Sequence, residues 1–289
     1  MNRFGEKFAN LAMACLAGAV AISVLREVSG TGVLIALIAA PILAPLLLGP
    51  FLIHRTHWSA LEPNFAPFDP DGPDSPPELR RYFAQAAEEL ELLGFEHELS
   101  RRTKQATNNA EGFVSLFRNR ETMETARIIT AVGATGIVRI AYSDAGFRTE
   151  FSDGTEVVTS NRRSPKVYPT MPPPYHGQAF PQIREIGHLL VIHRALADHF
   201  GAGRIPVDAV GDDPGEFLRQ VDHKRPQAHH VACGYNYVDE MAGVQRLTWK
   251  GAVLMTWKLS PPIKQVRLAW ERFRAARLLG KLKAGRAIG

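Results

Sequence analysis

Two long runs without charged residues open the chain and set the first expectation about its organisation. Phe8–Leu25 contains 18 residues and Val33–Ile53 contains 21, and neither run includes Asp, Glu, Lys or Arg. As α-helices they would measure about 27 and 31 Å, close to the roughly 30 Å hydrocarbon core of a bilayer. The pattern predicts a transmembrane hairpin over residues 1–56, with the short loop Arg26–Gly32 between its spans.

The positive charges around these runs predict their orientation. Arg3 and Lys7 precede the first run and Arg55 follows the second, which favours both ends in the cytoplasm. We therefore expect a multi-pass protein of the cell inner membrane with a cytoplasmic domain. A cleaved signal peptide is the alternative, with Leu11–Ala21 as its apolar region, and it would leave the second run as a single anchor and the domain outside.

The pattern then changes to that of an α+β domain over residues 78–260. Residues 57–77 are rich in proline and aspartate and read as a linker. Ser75 and Glu78 have the spacing of a capping box for a helix that ends at Gly94. We expect an antiparallel sheet with helices on one side, built from alternating segments: Phe95–Leu99, Gly112–Asn119, Met123–Val132, Ile137–Tyr142, Phe147–Ser152 and Thr155–Ser160. Predicted turns are Ser143–Gly146 and the Asp153-Gly154 pair.

The C-terminal half predicts further helices. Apolar residues at helical spacing indicate a helix over Pro181–Phe200, and a shorter one is predicted over Pro214–Lys224, with Pro226 interrupting any continuation beyond it. Residues 261–289 predict a basic amphipathic helix. Its apolar residues are Ile263, Val266, Trp270, Phe273, Leu279 and Leu282.

The charge of the chain is concentrated in that last helix. The net charge is +5, but Pro262–Gly289 contains eight basic residues and one acid, so it carries +7 and the rest of the chain −2. This helix suits the surface of an anionic bilayer, packing on the domain with its charges in solvent, or nucleic acid, the last being the least favoured. We expect a lipid bilayer as partner, and a protein partner or anionic lipid bound through this helix.

Histidine and cysteine are the residues to test for chemistry. His188, His193 and His199 share one predicted helix, but their spacings of five and six do not place them together for metal ligation. His193 falls on the apolar stripe and is predicted to be a core residue with a hydrogen-bond partner. The adjacent His229 and His230 are weak candidates. The two cysteines, Cys15 and Cys233, lie in different parts of the chain and predict no disulfide.

No motif of nucleophilic catalysis or of phosphate binding occurs. The chain has no Gly-x-Ser-x-Gly elbow, no Walker loop and no Gly-x-Gly-x-x-Gly after a strand. We therefore predict no catalytic residue, no cofactor-binding residue, no metal ligand and no cofactor. An enzyme whose site is assembled from distant residues stays open as an alternative.

Residues 235–257 resemble the wing and the start of the last helix of a winged-helix domain. The resemblance rests on Tyr235–Asp239, a turn, and Val244–Gly251, where a strand ends in a Leu-Thr-x-x-Gly cap. It implies DNA binding. The competing interpretation is a β-hairpin followed by an ordinary helix capped by Thr248.

The whole layout resembles a family of uncharacterised bacterial membrane-anchored proteins. The features that carry this resemblance are the two apolar spans, the helix ending Leu93-Gly94-Phe95, the segment from Asp153-Gly154 to Thr159-Ser160-Asn161, and the Leu247–Ala252 block. The resemblance implies no activity. The sequence favours a membrane-tethered cytoplasmic binding or scaffolding domain that is not an enzyme, with the membrane-anchored enzyme and the DNA-binding protein as alternatives.

Overall fold

The computed structural model describes residues 46–62, 64–73, 75, 77–107, 110–133, 140–163, 171, 174–261 and 263–286. The chain divides into two compact units, Met1–Gly49 and Pro50–Gly289, and the second contains the sheet and the helices packed on it. The predicted span 8–25 and most of the span 33–53 lie outside the described residues, while residues 46–56 are helical. Within the described ranges, no helix is both long enough and apolar enough to cross a bilayer.

Eleven strands of the described residues form one sheet. They are β1 Trp58–Ala60, β2 Asn64–Pro67, β3 Glu96–Thr107, β4 Ala110–Asn119, β5 Glu124–Gly133, β6 Ile140–Phe151, β7 Glu156–Ser160, β8 Tyr175–Ala179, β9 Pro206–Val207, β10 Asn236–Asp239 and β11 Val244–Leu247. Nine follow the order β10-β11-β1-β3-β4-β5-β6-β7-β8, with β2 beside β3 and β9 beside β6. The pairings are antiparallel except the parallel pair β7–β8. The predicted α+β class with an antiparallel sheet is confirmed.

Two helices, α1 (Pro77–Leu92) and α2 (Ile186–Phe200), pack on the first face of this sheet. Their apolar residues recur every three or four positions, so each helix buries one stripe against the strands. Alternate residues of the central strands supply the other half of this core. The buried cluster includes Leu79, Phe83 and Leu90 of α1, Leu189, Leu190 and Leu196 of α2, and Phe113, Phe117, Ile128, Phe147 and Val157 of the sheet.

The ends of the helices differ in part from the predictions. Gly94 has a φ of 84°, and the N–H of Phe95 donates to the carbonyl of Leu90, as the predicted glycine stop requires. The predicted capping box is wrong, because the Ser75 hydroxyl is buried and has no hydrogen-bond partner among the described residues. Helix α2 begins at Ile186 rather than Pro181, after a turn in which the N–H of Ile183 donates to the carbonyl of Phe180.

Helices also cover the second face of the sheet, so the expectation of helices on one side only is wrong. The strand residues that alternate with the first core, Val114 and Leu116, pack against Val210, Phe217 and Leu218. Phe217 and Leu218 belong to α3 (Pro214–Arg219), which continues through a π-helix (Gln220–Lys224) into α4 (Arg225–Ala232). The central strands are therefore buried on both faces.

Two stretches predicted as irregular are strands. The predicted turn Ser143–Gly146 lies in the middle of β6, where Asp144 pairs with Ile129 and Gly146 pairs with Arg127 and Ser160. These polar and small residues tolerate the extended conformation because neighbouring strands take up their backbone hydrogen bonds. The predicted linker 57–77 likewise contains β1 and β2, which pair with β11 and β3.

The helical segment from Pro214 to Ala232 continues past Pro226, contrary to the predicted interruption. The N–H of Arg225 donates to the carbonyl of Gln220, five residues earlier, which is the wide turn of a π-helix. This turn places Pro226 in the first turn of α4, where its missing N–H is not needed.

The last two helices are α5 (Trp249–Leu259) and α6 (Ile263–Arg286). The predicted Thr248 cap is confirmed, since its hydroxyl oxygen accepts from the N–H of Gly251 at 3.1 Å. A Cβ on Gly251 would lie 2.1 Å from the carbonyl oxygen of Tyr235, so this close approach requires glycine. The wing-like hairpin β10–β11 is the edge of the large sheet.

We expect Leu218→Ala to destabilise the domain by about 2–5 kcal/mol, because a buried leucine on the second face would be replaced by a cavity. The measurement is the midpoint of thermal unfolding of the full chain in detergent. Val231→Ala, at an exposed position of the same helical segment, is the matched control and should leave the midpoint nearly unchanged. Equal midpoints for the two variants would contradict the packing of helices on the second face.

Candidate functional site

Charged side chains occupy the second face of the sheet on β5, β6 and β7. Arg127 lies on β5, Asp144 and Arg148 on β6 and Glu156 on β7. The pairing of neighbouring strands places these residues in line with Val114 and Leu116 or two residues along from them. Because side chains alternate between the two faces of a strand, all of them point to the same side of the sheet. Buried charges are expensive unless they are paired, so the partners of this group decide its role.

Most of these charges are neutralised by ion pairs. Arg148 Nη2 lies 2.6 Å from Glu156 Oε1 and 3.2 Å from Glu150 Oε2. Arg225 of α4 forms an ion pair with Glu156, and Asp222 of the π-helix pairs with Arg127. The segment Pro214–Ala232 therefore neutralises part of the charge on the sheet as well as covering its apolar residues.

A cavity of about 140 Å³ lies beside these ion pairs, over the middle of β6. Gly146 has no side chain, and its pairing partners Arg127 and Ser160 flank it on either side. The hollow therefore follows from a glycine placed between longer residues in one row across the sheet. The polar residues that line it are Arg127, Asp144, Ser160, Arg162, Tyr175 and Gln178. We call it the Gly146 cavity.

The wall formed by β8 depends on a second glycine. The Tyr175 ring lies across Gly177, where an added Cβ would be 2.5 Å from the ring Cε1 atom. Any other residue at position 177 would displace the ring that closes this side of the cavity. Gly177 and Tyr175 thus set the shape of the Gly146 cavity together.

Burial changes the proton affinities of the groups around this cavity. Burial raises the pKa of the Asp144 carboxyl to about 6, against the opposing effects of the Arg162 and Arg127 charges. Burial, and then the neighbouring Arg148 charge, lowers the pKa of the Arg127 guanidinium to about 10. Burial also raises the pKa of the Tyr175 hydroxyl. At neutral pH the arginine is therefore charged, the tyrosine is neutral, and Asp144 is the group that titrates nearest to neutrality.

A second cavity of about 280 Å³ adjoins the first at the β8 edge of the sheet. Arg162, Tyr175, Gly177 and Gln178 line both cavities. The second one extends to α6, where its lining residues are Glu271 and Arg274. The polar site is thus continuous with the surface next to the basic helix.

A third cavity of about 510 Å³ lies at the C-terminal end of α2. Its principal charged groups already have partners, because Arg194 Nη2 donates to Glu124 Oε2 at 2.8 Å and Arg194 Nε donates to both carboxylate oxygens. Arg204 Nε likewise donates to Asp153 Oδ2 at 2.5 Å. Glu124, Arg194 and Arg204 are thus used within the fold, which makes this cavity a weaker candidate for ligand binding.

Exposed aromatic side chains form a separate feature on α5 and α6. Trp249, Val253 and Trp257 recur every four residues on α5, and Val266, Trp270 and Phe273 are four and then three residues apart on α6. The tryptophans are 53, 55 and 59 % exposed in chain order, and Phe273 is 56 % exposed. We call these six residues the aromatic faces. Such large exposed apolar groups are typical of surfaces that contact a partner or a membrane.

Residues 50–56, the helical start of the second unit, reach the aromatic faces at Trp249. The ring of His54 stacks on Trp249 with centroids 4.4 Å apart, and Phe51 lies 6.3 Å from the same ring. His54 Nδ1 also donates to the carbonyl of Leu247 at 2.8 Å. The beginning of the second unit therefore lies beside the exposed face of α5.

The structure does not bring the predicted histidine candidates together. His193 is fully buried, and its two ring nitrogens lie 2.9 Å from the hydroxyls of Thr149 and Thr159, which confirms the predicted core role. His188 and His199 also lie on α2 but do not take part in the hydrogen bonds of His193. His229 lies 3.7 Å from the Cys233 sulfur, and its ring centroid is 6.1 Å from that of the adjacent His230. Among the described residues, no group of three or more His, Cys, Asp or Glu is placed to hold a metal ion.

The residues of the Gly146 cavity were missed by reasoning from the sequence. Asp144 and Gly146 were assigned to a turn, and Arg127 lies in an otherwise apolar and threonine-rich strand. An arginine inside such a strand is the signal that was available, since it requires a buried partner.

Comparison with known protein families, curated proteins and solved structures finds no match for the chain.

We expect the stability of the domain to fall between pH 6.5 and pH 4 because of His193. Burial lowers the pKa of this side chain from 6.5 to about 4, so in that window the unfolded chain binds a proton that the folded chain does not. The contribution of His193 to the free energy of unfolding therefore does not change above pH 6.5, and it falls by about 3 kcal/mol by pH 4.

The measurement is the thermal unfolding midpoint of the full chain in detergent against pH. His193→Gln cannot titrate and should show a smaller decline than the parent chain. His199→Gln, at an exposed position on the same helix, is the matched control and should follow the parent. The interpretation fails if all three pH profiles are parallel.

Proposed function

We propose that this chain is a membrane-attached binding or scaffolding protein whose second unit rests on a bilayer surface through the aromatic faces. The observation that carries the proposal is the exposure of Val266, Trp270 and Phe273 along one side of α6. A helix that only packed on its domain would turn these residues inward. The opposite side of α6 fulfils that role, since Ala275 is buried in the main core and Leu278 packs against it.

The charge around the aromatic faces supports a lipid partner. Arg272, Arg274 and Arg277 are exposed on α6, and Lys250 is exposed on α5. Tryptophan and phenylalanine beside lysine and arginine are the composition of helices that lie at the interface of an anionic bilayer. A purely apolar protein partner would leave these positive charges without a complement.

The position of the N-terminal runs is consistent with the same partner. The predicted span 33–53 continues into the helical segment 46–56, whose residues Phe51 and His54 contact Trp249. Phe51 and His54, at and just after the predicted end of that span, lie beside the start of α5. The positive charges at Arg3, Lys7 and Arg55 favour a cytoplasmic location for the domain, at the inner membrane.

A second candidate function is a membrane-anchored enzyme, and the Gly146 cavity favours it. The cavity is concave, it is lined by several polar side chains, and the Asp144 pKa is raised to about 6 by burial. Perturbed carboxyl groups in clefts are frequent at active sites, although structural ion pairs also produce them. The DNA-binding alternative has less support, because Arg225 of α4 forms an ion pair with Glu156 on the sheet.

We expect brominated lipids to quench the tryptophan fluorescence of the full chain reconstituted in anionic vesicles. The four tryptophans are Trp58, Trp249, Trp257 and Trp270, so neither predicted span contributes to the signal. Replacing Trp249, Trp257 and Trp270 by phenylalanine leaves Trp58 as the reporter and should remove most of the quenching. Trp58→Phe is the matched control and should retain it. Equal fractional quenching in these two variants would refute contact between the aromatic faces and lipid.

Integration into the membrane is tested separately. We expect the full chain to stay in the membrane pellet after alkaline carbonate extraction, because two apolar spans cannot leave the bilayer for water. The intact mass should include residues 1–21. A mass that lacks these residues would favour the cleaved signal peptide, and intact chain in the supernatant would contradict the predicted spans.

A further inference from the structure

We infer that the Gly146 cavity binds a small oxyanion, namely a phosphate, sulfate or carboxylate group. Hydrogen-bond donors dominate its lining. Arg127 and Arg162 supply guanidinium groups, Tyr175 and Ser160 supply hydroxyls and Gln178 supplies an amide, against the single carboxyl of Asp144. This inference is independent of the proposed membrane attachment.

The space fits a ligand of this size. The volume of about 140 Å³ is several times the roughly 30 Å³ that one water molecule occupies in the liquid. Since Gly146 carries no side chain, a ligand could approach the backbone of β6 closely.

Arginine atoms in and beside the cavity lack hydrogen-bond partners. Nε of Arg162 and Nε of Arg148 are buried, and neither has a partner among the described residues. The Arg148 side chain is only 4 % exposed. Buried N–H groups of this kind are rare because each loses its bonds to water. Arg162 lines the cavity, so an oxyanion there would give its guanidinium an acceptor.

The acidic residues nearby do not cancel this preference. Glu150 and Glu156 are held by Arg148, and Asp222 is held by Arg127. Arg162 has no such acidic partner among the described ion pairs. Its charge also acts on the Asp144 carboxyl of the same cavity, so it is fully available to a ligand once Asp144 is protonated.

Asp144 is the one group of the lining that opposes an anion. The charged and titratable groups that act on it or are affected by it are Arg127 from β5, Arg162 after β7 and Tyr82 from α1. The pKa of Tyr82 is raised to about 12, so it stays neutral. Burial raises the pKa of Asp144 to about 6, so at pH 5.5 most of its carboxyl is protonated and becomes a donor. Anion binding should therefore strengthen on going from pH 7.5 to pH 5.5.

The same chemistry has two possible sources, a free anion and a lipid headgroup. The adjoining cavity shares Arg162 and Tyr175 with the Gly146 cavity and extends to Glu271 and Arg274 on α6. These residues are sequence neighbours of Trp270 and Phe273. If the aromatic faces rest on lipid, which is the proposed function, a phosphate headgroup would have a route into the site.

The test uses the full chain in detergent and sulfate as the probe, because sulfate keeps its charge of −2 between pH 5.5 and 7.5. We expect sulfate to raise the thermal unfolding midpoint more than sodium chloride of equal ionic strength, and more strongly at pH 5.5. Arg162→Gln should weaken the sulfate affinity about tenfold or more, since a charge-assisted hydrogen bond is lost. Arg272→Gln, at an exposed position of α6, is the matched control and should bind as the parent does.

Asp144→Asn provides a second variant whose expected effect is a gain. It should bind sulfate at pH 7.5 as tightly as the parent does at pH 5.5 and should lose the pH dependence, whereas the exposed Asp212→Asn should keep it. Sulfate stabilisation no greater than that of chloride at both pH values would overturn the inference. Parent-like affinity in Arg162→Gln would also overturn it.

Nanodiscs separate the two sources. If a headgroup fills the cavity, sulfate stabilisation should be present in phosphatidylcholine nanodiscs and absent in those that contain phosphatidic acid. Equal stabilisation in both would identify a free anion as the ligand. The sulfate experiment in detergent needs no bilayer, so its result does not depend on the proposed membrane attachment. Absence of sulfate binding would likewise leave the result of the quenching experiment unchanged.

Discussion

The ion pairs between the second face of the sheet and the segment Pro214–Ala232 are the interaction on which the rest of the structure depends. β5, β6 and β7 place Arg127, Arg148 and Glu156 on a face that is covered by helices, where isolated charges would be too costly. Asp222 and Arg225 supply opposite charges from the covering segment. Without these partners, the strand charges would favour contact with water over burial under the helices that also cover Val114 and Leu116.

The π-helix gives these pairs their geometry. Gln220–Lys224 inserts one wide turn between α3 and α4, so that Leu218, Asp222 and Arg225 all contact the sheet side. π-turns are rare and occur frequently at functional positions. Here the turn also accommodates Pro226, and it lies on the same face of the sheet as the Gly146 cavity.

The polar cavity and the aromatic faces are distinct features that meet at α6. Glu271 and Arg274 line the cavity that adjoins the Gly146 cavity, while Trp270 and Phe273 point outward from the same helical turns. One helix thus connects a polar site with an apolar surface. This arrangement suits a protein that binds a small anionic group close to a membrane surface.

The local pattern of the sequence was enough for the α+β class, for helix α1 with its glycine stop, for the buried His193 and for the cap at Thr248. Each of these depends on neighbours within a few residues, or on a single position in an apolar stripe. The sequence also contains the two uncharged N-terminal runs, whose prediction as spans rests on length and composition. Only the tertiary structure decided that Ser143–Gly146 is a strand, that helices cover both faces, and that Arg127, Asp144 and Tyr175 share one cavity. These features depend on strand pairing and on partners distant in sequence, because a charge or a glycine in a strand has a meaning only once the residue opposite to it is known.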